Sequence, residues 1–188
     1  MKSFKTKQVK VRKFELTDIE QAYYNLSIYD DFKNVSEDAF NSNMSKTKLV
    51  IKSAINEYYT DEPVWAVEKC DNKQLIGYVR VSNYSEKNKM CNITWSMSNG
   101  LWDAYAMKEA LIEVMNFLFN KKNIELIECS YYGQVKKYEE ILNSVGMIKE
   151  AILRNRRINS KTNEKENFVI YSIVKQEFFE KNLHKKLL

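Results

Sequence analysis

The chain has 188 residues, 44% of them hydrophobic and 13% aromatic, with 1 proline and 4 glycines. Such a chain buries a core as one domain, which excludes a disordered body, a flexible linker and a low-complexity array. The net charge of +5 comes from 30 basic and 25 acidic residues mixed along the chain; it describes a solvated surface, with an anionic ligand or nucleic acid as the lesser reading.

Cys70, Cys91 and Cys129 are far apart and form no paired motif. They read as reduced, buried thiols of a cytoplasmic protein. The only histidine is His184, so a zinc site is not expected. The first residues carry no apolar targeting core, and no run approaches membrane-spanning length.

Gln8–Phe14 alternates Val9 and Val11 with basic residues and predicts a first strand. Thr17-Asp18-Ile19-Glu20 has the form of a capping box, and Ile19, Ala22, Tyr23 and Leu26 follow at helical spacing. Tyr29–Asn43 is polar, with a short helical turn expected over Ser36–Phe40. Ser45 opens a second helix, striped by Ile51, Ala54, Ile55 and Tyr58 and ended before Pro63.

Val64–Cys70 and Leu75–Val81 predict two strands joined by the turn Asp71-Asn72-Lys73. Cys91–Met97 is the next strand, with Ile93, Trp95 and Met97 on one face. A helix opening near Asp103 places Ala104, Met107, Leu111, Val114 and Leu118 on one stripe, as a helix packed on a sheet would. Ile124–Tyr131 follows as a strand parallel to Cys91–Met97, because a crossover helix joins them. Val135, Tyr138, Ile141, Leu142 and Val145 stripe another helix, stopped by Gly146 as a left-handed cap. Ile148–Arg157 and Phe168–Val174 make a last strand pair around the polar loop Asn159–Asn167. The order β-α-α-β-β-β-α-β-α-β-β is an α+β fold: a central mixed sheet with helices on both faces and one β-α-β unit. One domain is expected over residues 1–177, with 178–188 a basic tail or short helix.

With that order in hand, the chain resembles the GCN5-related N-acetyltransferases, and within them the ribosomal-protein alanine acetyltransferase branch. Trp65-Ala66-Val67 followed by Leu75-Ile76-Gly77 resembles two strands of that branch. Trp102 with Met107, Glu109, Ala110 and Leu111 is similar to its W-x-x-G-x-M-x-E-A-L segment. Leu142–Met147 resembles L-E-K-x-G-F, and Tyr171 and Glu177 fit its closing Y-x-x-x-x-x-E. The resemblance implies acetyl-CoA as co-substrate and no metal. Its arm would lie between the two parallel strands against Trp95, Ser96 and Met97. Its diphosphate would lie at the following helix N-terminus, over Trp102, Asp103, Ala104, Tyr105, Ala106, Met107 and Lys108, where orphan amides and the helix dipole favour anions. Lys136 would flank the same groove.

The chain departs from the pattern. Tyr105 stands where the family has glycine, so its side chain must point away from a phosphate. Asp103 is a natural N-cap whose carboxylate competes for the same amides. Val135 and Tyr138 replace the branch's Asn and Ser. Tyr138 is a candidate general acid for a leaving thiolate, or simply part of an apolar stripe. Glu128 is the candidate base, or an ordinary strand carboxylate. Asp30 and Asp31 fall where acceptor loops lie and would attract a cationic amine. The expected partner is an amine, either a small molecule or a protein N-terminus, with nucleic acid and membrane not expected and a monomer or homodimer open. The alternative is a catalytically degenerate binding or regulatory protein of the same fold.

Overall fold

The computed structural model describes residues 3–26, 43–98, 101, 103–133, 135–159 and 162–183. Its strands are β1 (Phe4–Lys5), β2 (Val9–Arg12), β3 (Val64–Lys69), β4 (Leu75–Ser85), β5 (Met90–Met97), β6 (Leu126–Tyr132), β7 (Ile148–Ile158) and β8 (Lys165–Val174). The helices are α1 (Ile19–Leu26), α2 (Met44–Glu57), α3 (Ala104–Lys121), α4 (Lys136–Ser144) and α5 (Lys175–Leu183). The strands form one 8-stranded sheet in the order β1-β2-β3-β4-β5-β6-β8-β7. Only β5 and β6 among the described pairs run parallel, as the α3 crossover between them requires.

Cross-strand alternation sorts the side chains onto two faces. On one face Val79, Ile93, Trp95, Ile127, Cys129 and Tyr171 join Met107, Leu111, Val114, Ile141 and Leu142 in the larger core cluster. On the other, Ala22, Leu26, Ile51 and Ala54 cover Val64, Ala66, Leu75 and Tyr78. The helices α1 and α2 therefore shield the β3–β4 end of their face. Phe178 of α5 is buried and lies 5.1 Å from the Phe119 ring of α3.

Several boundaries differ from the sequence expectations. The capping box does not sit at Thr17–Glu20. A 3-10 turn spans Leu16–Asp18, and the Asp18 carboxylate accepts the Glu15 amide at 2.8 Å. Arg12 explains the shift: it holds Asp18 in a bidentate pair at 2.7 and 2.8 Å and donates to Glu68 at 2.8 Å. Asn43, not Ser45, caps α2, its Oδ1 accepting the Ser45 amide at 2.8 Å. The polar loop after β7 is shorter than expected, because Lys165–Asn167 pair along a solvated edge where Arg157 and Glu166 meet at 2.6 Å. Cys70 is only half-buried. The turn expected over Ser36–Phe40 lies outside the described residues.

The central glycines have distinct causes. Gly146 has φ +96, the left-handed cap that ends α4. Gly77 has no such backbone requirement. A Cβ there would run into the Ser96 main-chain carbonyl and come within 2.9 Å of Met107 Cε, so β4, β5 and α3 close up only around a missing side chain.

Candidate functional site

The strands β5 and β6 pair over three positions, Met90↔Leu126, Cys91↔Ile127 and Asn92↔Glu128. Beyond them β5 continues to Met97 beside β4, and β6 continues to Tyr132 beside β8. The two strands therefore part at Asn92 and Glu128. Past the fork, the β5 edge that faces β6 has main-chain groups outside the ladder, and such an edge takes up hydrogen-bonding partners.

One partner comes from α4. The Tyr138 hydroxyl lies 3.4 Å from the Trp95 carbonyl of β5 and 3.7 Å from Cys129 Sγ of β6. Its ring stacks on Trp95 with centroids 3.9 Å apart and planes 1° from parallel. Burial pushes the Tyr138 phenol well above its ordinary pKa, with the Cys129 thiol adding to the effect. Burial likewise pushes Cys129 up to about 12, against the opposing hydrogen bond from Tyr138. Both groups therefore keep their protons at neutral pH. Tyr138 belongs to the apolar stripe and also reaches the fork with its hydroxyl.

Glu128 stands on the opposite face. Ile127, Cys129 and Tyr131 are buried toward α4, while Glu128 and Ser130 alternate to the other side and are half-buried. Glu128 is level with Asn92 on β5 and Ser172 on β8. The two candidate acid–base residues thus straddle the sheet at the fork, with the carboxylate on one face and the phenol on the other.

At the β5 end of the site, Asp103 caps α3. Its Oδ1 accepts the Ala106 amide at 3.0 Å, and its Oδ2 lies 2.9 Å from Lys69 Nζ. Burial raises the Asp103 carboxyl, but the Ala106 amide and Lys69 outweigh it and hold the group below the usual range. Tyr105 is 74% exposed, so its ring projects into solvent. Ala106 and Met107 are fully buried, leaving only their main chain for a ligand, whereas Ala104 and Lys108 are half-buried. Ser96 is buried and paired with Tyr78, and Met97 Sδ accepts the Asp103 amide at 3.1 Å. The Ser98 hydroxyl, just after β5, is buried without a hydrogen-bond partner among the described residues.

Trp102, Asp30 and Asp31 lie outside the described residues. Lys136 opens α4, whose cap residue Val135 offers no side-chain acceptor. It borders a hollow of about 340 Å³ shared with Glu139, Lys149 and Asn167, on the β7–β8 flank of α4. Among the described residues, no group of three or more His, Cys, Asp or Glu is arranged to hold a metal, and no helix is long and apolar enough to cross a membrane. Among the basic residues, Lys122 meets Asp61 at 2.7 Å, and Arg157 meets Glu166 while lying 4.2 Å from the Tyr132 ring centroid.

Sequence reasoning missed Lys69 and Ser98. The only local signal for Lys69 is a lysine closing a strand before a turn. For Ser98 it is a hydroxyl at the junction of strand and helix.

Residues 8–148 match the family model described as an acetyltransferase (GNAT) domain. No curated protein sequence matches the chain. A GNAT-family acetyltransferase from Bacillus anthracis superposes with a TM-score of 0.78 at 17% identity, covering 94% of this chain and 100% of that one. A ribosomal-protein alanine acetyltransferase from Vibrio fischeri gives 0.77 at 14% identity, covering 95% and 99%. A microcin self-immunity acetyltransferase, solved with acetyl-CoA and AMP, gives 0.70 at 13% identity, covering 90% and 93%. At these identities the likeness is one of fold.

Proposed function

The chain belongs to the GNAT acetyltransferase family, and from that premise we propose that it transfers an acetyl group from acetyl-CoA to a primary amine by direct attack on the thioester. The observation that carries this reading is the parting of β5 and β6 at Asn92 and Glu128. It leaves a strand edge that an extended, amide-bearing arm can pair with. The residues fit such a donor at two further points. The buried Ser98 hydroxyl and the α3 amides offer donors to an anion, and Tyr105 leaves the approach open by pointing outward.

The arm would be held by the main chain of Trp95 and Met97, on the β5 edge that faces away from β4, and the diphosphate by the main chain of Ala104–Lys108. Acetyl-CoA supplies the activated acyl group. Main-chain amides at the fork polarise the developing oxyanion. Glu128, directly or through water, removes a proton from the incoming ammonium on its face of the sheet. Tyr138, whose hydroxyl reaches the fork from the other face, is the candidate proton donor to the leaving thiolate, and the arriving donor must first relieve the burial that makes it a weak acid. Holding two substrates across the fork supplies much of the rate, and no covalent intermediate is needed. The acceptor is a protein N-terminus or a small amine, and the site of action is the cytoplasm.

Asp103 favours a second reading, in which the protein keeps the fold and binds donors poorly. Its carboxylate already occupies the Ala106 amide that a diphosphate would use. Release of CoA thiol across a panel of primary amines tests the two. Turnover with any amine supports the enzyme, whereas weak acetyl-CoA binding with no turnover on any amine supports the degenerate protein.

A further inference from the structure

We propose that Tyr138 is an internal latch on the donor arm's slot and sets the affinity of this protein for its donor. The inference rests on the acetyl-CoA reading above and deepens it.

The latch has three parts. Pairing between β5 and β6 ends at Asn92 and Glu128, so the slot begins there. The Tyr138 hydroxyl spans the gap, contacting the Trp95 carbonyl on one strand and Cys129 Sγ on the other. The ring is fully buried and lies flat on the Trp95 indole, with the Tyr131 ring 5.0 Å away at a tilt. The hydroxyl therefore takes a main-chain acceptor on the very edge a ligand amide would use. The neighbouring Ser96 carbonyl is turned the other way, toward Gly77 on β4, and cannot substitute for it.

A donor arm that pairs with Trp95 meets this hydroxyl at the same carbonyl, and the latch holds that the hydroxyl and the stack give way as the arm enters. The closed state is thus stabilised by contacts the bound state gives up. A ligand can shift such an equilibrium only by its differential affinity for the two states, and the cost appears as weaker apparent binding. The latch is separate from the Asp103 cap: Tyr138 acts on the arm, and Asp103 acts on the diphosphate.

Titration calorimetry of the full chain with two probes tests the latch. S-acetyl-pantetheine carries the arm alone, and acetyl-CoA carries the arm and the diphosphate. Tyr138→Phe keeps the ring and removes the hydroxyl, so the fold is retained. The variant is expected to bind both probes about tenfold more tightly, the effect of one neutral hydrogen bond. Tyr138→Ser, which also removes the stack, is expected to gain roughly thirtyfold. Asp103→Asn is expected to improve acetyl-CoA alone. Binding that is absent in the native chain and present in Tyr138→Phe also supports the latch. Equal affinity of native and Tyr138→Phe for both probes overturns the latch and leaves the acetyl-CoA reading standing. Failure of every variant to bind either probe overturns both.

Discussion

Lys69 Nζ lies 2.9 Å from Asp103 Oδ2, so the last residue of β3 neutralises the carboxylate that caps α3. One oxygen serves the helix and the other serves the ion pair. The pair is partly exposed, and such pairs contribute at most about 1 kcal/mol. Asp103→Asn keeps a good cap and removes the charge, so it should cost little stability and strengthen acetyl-CoA binding a few-fold. Asp103→Ala loses the cap, which costs about 1 kcal/mol and lowers Tm by roughly 2–4 °C. Thermal unfolding beside calorimetry separates the two effects. Weaker acetyl-CoA binding in Asp103→Asn would show that the carboxylate is not a competitor.

Stability should fall in acid. Asp103, Glu139 and Glu166 are each raised by burial but held below the usual range by stronger opposing partners. For Glu139 these partners are Tyr131 and Lys149, and for Glu166 they are Asn159 and Arg157. A depressed folded pKa contributes stability that is present above the unfolded value of about 4 and is lost as pH falls through the folded one. The urea midpoint should therefore decline below about pH 5. Glu139→Gln should start lower at neutral pH and decline less steeply. A midpoint that stays flat into acid would contradict the assignment.

Gly77→Ala should destabilise the protein by about 1–3 kcal/mol, the range for overpacking a filled interior. The added Cβ meets the Ser96 carbonyl, which is main chain and cannot rotate away, as well as the Met107 methyl. Shortening Met107 in the same chain should therefore recover only part of the loss. Full recovery, read from thermal unfolding, would place the conflict at Met107 alone.

Arg12→Met should cost about 3–5 kcal/mol, because it leaves Asp18 and Glu68 without their cation. Arg12→Lys should rescue little, since a single ammonium cannot reproduce the fork that binds both oxygens of Asp18. Urea unfolding of the two variants checks this.

Glu128→Gln should lower turnover by about 10²–10⁴-fold with little change in KM for acetyl-CoA. A base acts on the chemical step and leaves donor binding alone. A change confined to KM would remove Glu128 from the proton path.

The element order was legible because each segment carries its own period: the i, i+3, i+4 stripe of Met107, Leu111 and Val114, or the alternation of Ile93, Trp95 and Met97. The Asp103 cap and the Gly146 stop were equally local, since each depends on neighbours within a turn. Tertiary contacts overrode local signals elsewhere. Thr17 has the form of a cap, yet the cap is Glu15, two residues earlier, because the Arg12 pair holds Asp18 where it accepts the Glu15 amide. The Tyr138 latch was beyond reach for the same reason. Its stripe position placed it on the buried side of α4, but meeting Trp95 depends on how α4 sits over a strand 43 residues away in sequence. The Lys69–Asp103 pair likewise joins two elements whose packing no local pattern specifies.

The proposed donor site lies where β5 and β6 part. Calorimetric titration of the native chain and of Tyr138→Phe with acetyl-CoA tests it most directly. Saturable binding is expected, tighter in Tyr138→Phe than in the native chain. No saturable heat from either protein at millimolar acetyl-CoA would contradict it.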